Sequence, residues 1–348
     1  MIRSILQVLA VLTIFTSNFF VITSEVNAQG SRLREENVKK SPNSLLEYIS
    51  ERRVVGFADS PRLNLLSAEQ VSFEENVEDQ VEQVLFEDSV QLQSNSTYGL
   101  ELFPDSLLYH SYMAGEKEPR FASQWLWEKE RGRVWEAALG GRWGIFRKGT
   151  PGPNGEGFQF DVEGAGLVRI DPEQDSDLEA ADFRAGFIGT WKRGQYRWKC
   201  GYYHLSSHVG DEFLDNNPGF DRRNYVRDAL LVGVMYDVTP ELAVYGEYAY
   251  AANANGGAEP GEIQLGVEYS ALRPVWLKGA PFAAINGHLR EEFDYGGSVN
   301  VLAGWQWIGP RSGHSFRFGV QHYNGPSMQY SFFDQYESLT GLGIWFDY

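Results

Sequence analysis

The sequence predicts an all-β protein, a transmembrane antiparallel β-barrel of the outer-membrane type with about twelve strands and an N-terminal periplasmic arm. Three observations predict it: a secretion leader, a long run of segments that alternate apolar and polar side chains, and a final alternating strand that ends on an aromatic. The alternation is plainest where Ile263, Leu265, Val267 and Tyr269 interleave with Gln264, Gly266, Glu268 and Ser270. Side chains of a strand point alternately to its two faces, so one face here suits hydrocarbon and the other suits water or counter-charges. Repeated behind a leader, the pattern describes a barrel with lipid around it and polarity within.

The leader occupies residues 1–28. Arg3 supplies the positive start, Ile5 to Ile14 the apolar stretch, and Val26-Asn27-Ala28 a small-residue cleavage site. Thr13, Thr16, Ser17 and Asn18 interrupt the run and argue against a membrane helix, and no cysteine follows that a lipid could modify. Past Ala28 no stretch approaches the roughly 18–20 apolar residues that a helical span requires. The mean hydropathy of −0.36 therefore argues against helical spans while leaving strands, which are only half apolar, free to cross. With 47 acidic against 30 basic residues the net charge is −17, which argues against a nucleic-acid partner. The single cysteine, Cys200, forms no internal disulfide and belongs to no metal-binding cluster. Ten tryptophans, 18 tyrosines and 22 phenylalanines suit the aromatic girdles of a membrane barrel.

Residues 29–108 read as an acidic, partly disordered periplasmic segment. Ser31 to Asn43 is polar, and Glu74, Glu75, Glu78, Asp79, Glu82, Glu87 and Asp88 interleave with Val77, Val81, Val84 and Leu85 at helix-like spacing. That stretch is either a solvated arm or a segment that binds a partner or enters the lumen. Residues 109–348 form the barrel domain. Its strands are drawn at 119–127, 133–147, 157–170, 181–192, 195–206, 225–237, 241–252, 261–271, 282–289, 298–308, 314–324 and 339–348. An even number places both termini on the periplasmic side. Lys192–Gln195 and Asp237–Pro240 are then tight periplasmic turns, and the longer connections at 171–180, 207–223, 253–260 and 324–338 are outer loops. Two connections fit less well: Arg273–Ala280 is long for a periplasmic turn, and 128–132 is short for an outer loop.

By alternation Glu136, Arg142, Asp161, Glu163, Arg184, Arg197, Lys199, Arg227, Glu247, Glu268 and Arg317 point inward. Charges of both signs pair across a lumen of this size and fill it, whereas a selective pore favours one sign at its constriction. The sequence thus favours a filled lumen over an open channel, with a narrow channel as the alternative. At the carboxyl end Leu342, Ile344, Phe346 and Tyr348 share one face, which resembles the strand signal read by the bacterial barrel-assembly machinery. Outer-membrane lipids and that machinery are the expected partners, and the bacterial outer membrane is the expected location.

One constellation suggests chemistry. In Tyr202-Tyr203-His204-Leu205-Ser206, His204 and Ser206 lie two apart on a strand and so share a face, the one carrying Trp198, Cys200 and Tyr202. Arg197 and Lys199 lie on the other, so His204 and Ser206 project toward lipid. On the following strand Leu230, Val232, Val234 and Tyr236 are the lipid face, which gives Asn224, Val226 and Asp228 the same direction. Two readings stay open at this point: a catalytic pair at headgroup depth, or an interface strand whose polar residues meet lipid headgroups. The loop residues Asp211, Glu212 and Asp215 are candidate calcium ligands, and solvated loop charges are the alternative. His204 and His208 with Asp211 or Glu212 offer a further metal reading, which lacks both a strong ligand spacing and the usual helix.

The His-x-Ser strand followed by an asparagine on the next strand resembles bacterial outer-membrane phospholipase A, a twelve-stranded barrel with a lipid-facing triad. The resemblance implies Ser206 as nucleophile, His204 as general base and Asn224 as the group orienting the imidazole. A barrel that deacylates lipid A pairs His-x-Ser with a carboxylate instead, and Asp221 is then the nearest candidate. The chain has Ser207-His208 where the phospholipase has Asn-Gly, and its serine-to-asparagine spacing is longer, so the resemblance supplies no oxyanion site. Separately, Leu102-Phe103-Pro104-Asp105 with Tyr109–Gly115, Tyr203–His208 with Gly210-Asp211-Glu212, and Arg223–Asp228 together resemble the family called domain of unknown function 1207, over roughly residues 100–348. That resemblance implies no activity. The function expected is that of an outer-membrane barrel, either a serine-type lipid acyl hydrolase or a structural, adhesive or small-molecule passage barrel.

Overall fold

The computed structural model describes residues 98–348, with Glu130 left out; the expected leader, the cleavage site and the acidic stretch at 74–88 lie outside the described residues. A short strand, β1 (Gly99–Leu102), precedes twelve long ones: β2 (Phe121–Glu128), β3 (Gly132–Gly149), β4 (Gly157–Asp171), β5 (Asp177–Arg193), β6 (Tyr196–Val209), β7 (Val226–Thr239), β8 (Leu242–Asn255), β9 (Gly261–Ser270), β10 (Ala280–Arg290), β11 (Gly296–Ile308), β12 (Ser315–Pro326) and β13 (Tyr336–Asp347). Each of the twelve pairs antiparallel with its chain neighbour, and β13 closes on β2, with Phe346 opposite Phe121. The predicted strands match these within a few residues.

β1 was not anticipated. It joins the wall by pairing with the terminal end of β3, Gly99 opposite Gly149, in line with β2 on the same edge. This strand lies upstream of residue 109, at residues 99–102.

The alternation partitions the side chains as predicted. Leu139, Phe183, Phe187, Leu230, Val232, Leu265, Ile285, Val301 and Val320 are exposed on the outside. Inside, Glu136, Arg142, Asp161, Glu163, Arg184, Lys199, Arg227, Glu247, Glu268 and Arg317 are all buried. Such a distribution is unfavourable in water, where the exterior hydrocarbon would be solvated, and favourable in a bilayer, where every backbone group must be paired in a closed sheet. Aromatic pairs such as Phe158–Trp191 and Tyr196–Trp198 ring the end that holds β1 and Tyr348. At that end Arg193 and Tyr196 are joined by a two-residue turn, and Gly194 takes the positive φ of +57° that it needs.

The lumen is filled from both ends. Residues 103–120 enter beside β1, rise into the barrel and return to start β2. Tyr112 stacks on Tyr245 at 3.7 Å, with the Lys199 ammonium 4.0 Å from the centre of the Tyr112 ring. The Met113 N–H donates to Glu268 at 2.6 Å, and Arg142 donates to the Tyr109 carbonyl at 3.2 Å. Glu116 meets His288 at 2.7 Å, and Lys117 pairs with Asp182. From the opposite end the connection 327–335 folds inward: Met328, Tyr330, Phe332 and Phe333 are buried, and Lys117 also donates to the Met328 carbonyl. Between them Arg169 binds Glu136 and Glu337. A residual cavity of about 20 Å³, lined in part by Glu116, Glu118, Glu136 and Asn300, has room for about one water. Among the described residues the lumen is thus filled by 103–120 and 327–335, in line with the paired inward charges; the acidic stretch at 74–88 lies outside the described residues.

Candidate active site on the lipid-facing wall

The parity of β6 places its residues as predicted. Tyr203, Leu205 and Ser207 are buried in the lumen, where the Ser207 hydroxyl bonds Asp182 and, at 2.7 Å, Ser331. Tyr202, His204 and Ser206 face outward, near the end of the barrel opposite β1 and Tyr348. His204 and Ser206 are two residues apart, which sets their Cα atoms about 7 Å apart along the strand.

The partner of His204 is Asp228. The two are directly opposite on β6 and β7, and His204 Nδ1 lies 2.8 Å from Asp228 Oδ1. A carboxylate only accepts, so the proton sits on Nδ1 and leaves Nε2 as the basic nitrogen. The same Oδ1 accepts the Tyr202 hydroxyl at 2.6 Å, and Oδ2 accepts the Asn253 amide at 2.8 Å. Three donors therefore fix a carboxylate that is only partly buried. Ser206, beside this pair, makes no side-chain hydrogen bond among the described residues.

A β-bulge builds the third of these contacts. Between β7 and β8 the register shifts after Asp228, so that Asp228 faces Asn253 while Ala229 faces Ala251. The extra residue, Ala252, reverses the alternation and brings Asn253 to the outside next to Asp228. Bulges recur beside functional sites because they re-aim one side chain without disturbing the rest of a sheet.

Asn224 is not beside His204. The Ser207 N–H donates to the Tyr225 carbonyl at 2.9 Å, so the ladder continues past Val226, and Asn224 falls opposite His208. It stands four residues along β7 from the residue that faces His204, about 13 Å away. Asn224 is thus out of reach of the imidazole, whose partner is Asp228, and lies diagonal to Ser206. Asp221, the alternative carboxylate, is exposed and pairs with Arg223 at 3.6 Å. The calcium candidates are not assembled either. Asp211, Glu212 and Asp215 lie on the short helix α1 (Asp211–Asn216), and Glu212 accepts the Leu178 N–H at 2.8 Å. Among the described residues no group of three or more His, Cys, Asp or Glu side chains is arranged to hold a metal ion.

A closed antiparallel wall of twelve strands, apolar outside and ionic inside, defines a β-barrel of the outer-membrane type, and the His204–Asp228 pair with Ser206 lies on its outer surface. A family model described as protein of unknown function (DUF1207) matches residues 164–348, more than half of the chain, and the chain belongs to that family. The curated proteins contain no match. Among solved structures, outer membrane phospholipase A from Escherichia coli is similar at 12% identity and a TM-score of 0.44, with 66% of this chain and 90% of that chain covered. The Salmonella typhi outer membrane phospholipase dimer with bound calcium gives 12%, 0.46, 66% and 90%. A porin variant from Rh. blastica gives 11%, 0.26, 66% and 99%. Likeness at this level carries nothing about activity.

Proposed function

We propose that the protein is an outer-membrane serine hydrolase that cleaves acyl esters of membrane lipids on the outside of its barrel, with Ser206 as nucleophile, His204 as general base and Asp228 as the residue that orients and charges the imidazole. The observation that carries this reading is the His204–Asp228 hydrogen bond on the outward face, with an unengaged serine beside it. The short strand β1 and Tyr348 lie at one end, and in barrels of this kind the end that carries the carboxyl terminus is periplasmic, so the site lies at the depth of the outer leaflet.

In this mechanism Ser206 Oγ attacks the ester carbonyl while its proton passes to His204 Nε2. The imidazolium, stabilised through Nδ1–H by Asp228, returns that proton to the departing alcohol oxygen. Water then attacks the acyl-serine through the same base and releases the fatty acid. Rotation of these two partly exposed side chains brings Ser206 Oγ to His204 Nε2. The oxyanion needs a donor, and the N–H of Ser207 is already committed to Tyr225. A side chain therefore serves, and Asn224, exposed and diagonal to Ser206, is the candidate.

The alternative is a non-enzymatic barrel in which Tyr202, His204, Asp228 and Asn253 form a polar cluster at headgroup depth. The full chain in mixed micelles of phospholipid or lipid A separates the two. Fatty-acid release that Ser206→Ala abolishes, with the barrel still folded, supports the hydrolase; no release by the wild type leaves the polar cluster.

A further inference from the structure

The connection 271–279, long for its end of the barrel, does not hang into the space below the wall. The Val275 N–H donates to the Gly279 carbonyl at 2.8 Å and the Gly279 N–H to the Trp276 carbonyl at 2.9 Å, which makes a small hairpin with Leu277 and Lys278 at its tip. Both tip residues have positive φ, +50° and +56°, where a hairpin would normally carry Asn or Gly. The hairpin leans outward. Gln306 is buried in the lumen, so its neighbours Trp305 and Trp307 face the outside by alternation. Their indole N–H groups donate to the carbonyls of Trp276 at 3.1 Å and Leu277 at 2.9 Å.

Four apolar residues of this connection stand free: Leu272, Val275, Trp276 and Leu277 are 59%, 74%, 66% and 62% exposed. They continue the apolar exterior of β10 and β11, where Ile285, Val299 and Val301 are exposed, and Arg273 and Lys278 flank them. We propose that 271–279 is a membrane-inserted finger whose occupant is phospholipid of the leaflet at the terminal end of the barrel. Trp276 and Leu277 enter the interface and upper acyl region, and Arg273 and Lys278 meet lipid phosphates. The two indoles set the finger's angle. This inference rests on the reading of the barrel as membrane-embedded, and not on the hydrolase.

The test uses the full chain with Cys200→Ser, carrying one spin label at a time through Leu277→Cys, Val301→Cys on the wall, or Gln195→Cys in the tight turn at the same end. The protein is reconstituted in phosphatidylethanolamine/phosphatidylglycerol vesicles, and collision rates with oxygen and with a water-soluble nickel chelate are compared. The expected oxygen-to-nickel ratio at 277 approaches that at 301 and stands several-fold above that at 195. If 277 is as open to nickel as 195 while 301 is not, the finger is overturned and the membrane barrel stands. If 301 is also open to nickel, the membrane reading itself fails. Low access to both reagents with dipolar broadening at 277 means a second copy covers the finger, and overturns lipid as its occupant.

Discussion

Replacing Arg169 by methionine tests whether the lumen is held as a packed ionic core. The guanidinium is fully buried and binds Glu136 through Nε and Glu337 through Nη1 and, at 2.8 Å, Nη2. Once it is gone, Glu136 keeps only the Gln329 amide at 2.7 Å, and Glu337 keeps the Met328 N–H at 3.2 Å. Two buried carboxylates then lack a counter-charge. Removing one partner of a buried pair costs about 3–5 kcal/mol, because the survivor stays desolvated. At about 2–4 °C per kcal/mol for a domain of this size, the melting midpoint in detergent falls by about 10 °C. Adding Glu136→Gln and Glu337→Gln removes the stranded charges and restores more than half of the loss. Unfolding is followed by heat-modifiable gel migration and by urea titration in micelles. A loss below about 1 kcal/mol, or a triple variant no better than the single one, refutes the reasoning.

Three further outcomes follow. Leu265→Arg, on the outward face of β9, lowers folding stability in lipid vesicles by about 2–4 kcal/mol if lipid surrounds the wall, and leaves it nearly unchanged if water does. Because 103–120 and 327–335 fill the lumen from both ends, the wild type gives no single-channel steps in planar bilayers; steady conductance contradicts the closed lumen. On the site, Asp228→Asn lowers kcat for ester hydrolysis by several orders of magnitude through loss of the imidazolium partner. Asn224→Ala lowers it about 10²–10³-fold with little change in KM, and Asp221→Ala leaves it unchanged; equal effects of the last two remove Asn224 from the oxyanion role.

The wall was legible in the sequence because a strand's period of two assigns every side chain a face. That alone sends Arg227 inward and His204, Ser206 and Asp228 outward. Register is a different matter. Which residue of β7 faces His204 depends on how the 16 residues of the connection 210–225 are spent between loop, α1 and strand, and alternation is blind to shifts of two. Asp228 already had the right direction, so a search for any carboxylate of matching parity on the next strand would have found it. Asn253 was hidden more deeply, since the bulge at Ala252 breaks the very alternation used to place it. The plug was missed for a physical reason as well: 103–120 has irregular backbone with no period, held by contacts to residues far along the chain such as Glu268 and Asp182.

Fatty-acid release from phospholipid in mixed micelles, by the wild type and by Ser206→Ala of equal heat-modifiable fold, tests the central claim most directly. The account predicts release by the wild type and loss of essentially all of it in the variant. Release that survives Ser206→Ala, or none from the folded wild type, contradicts it.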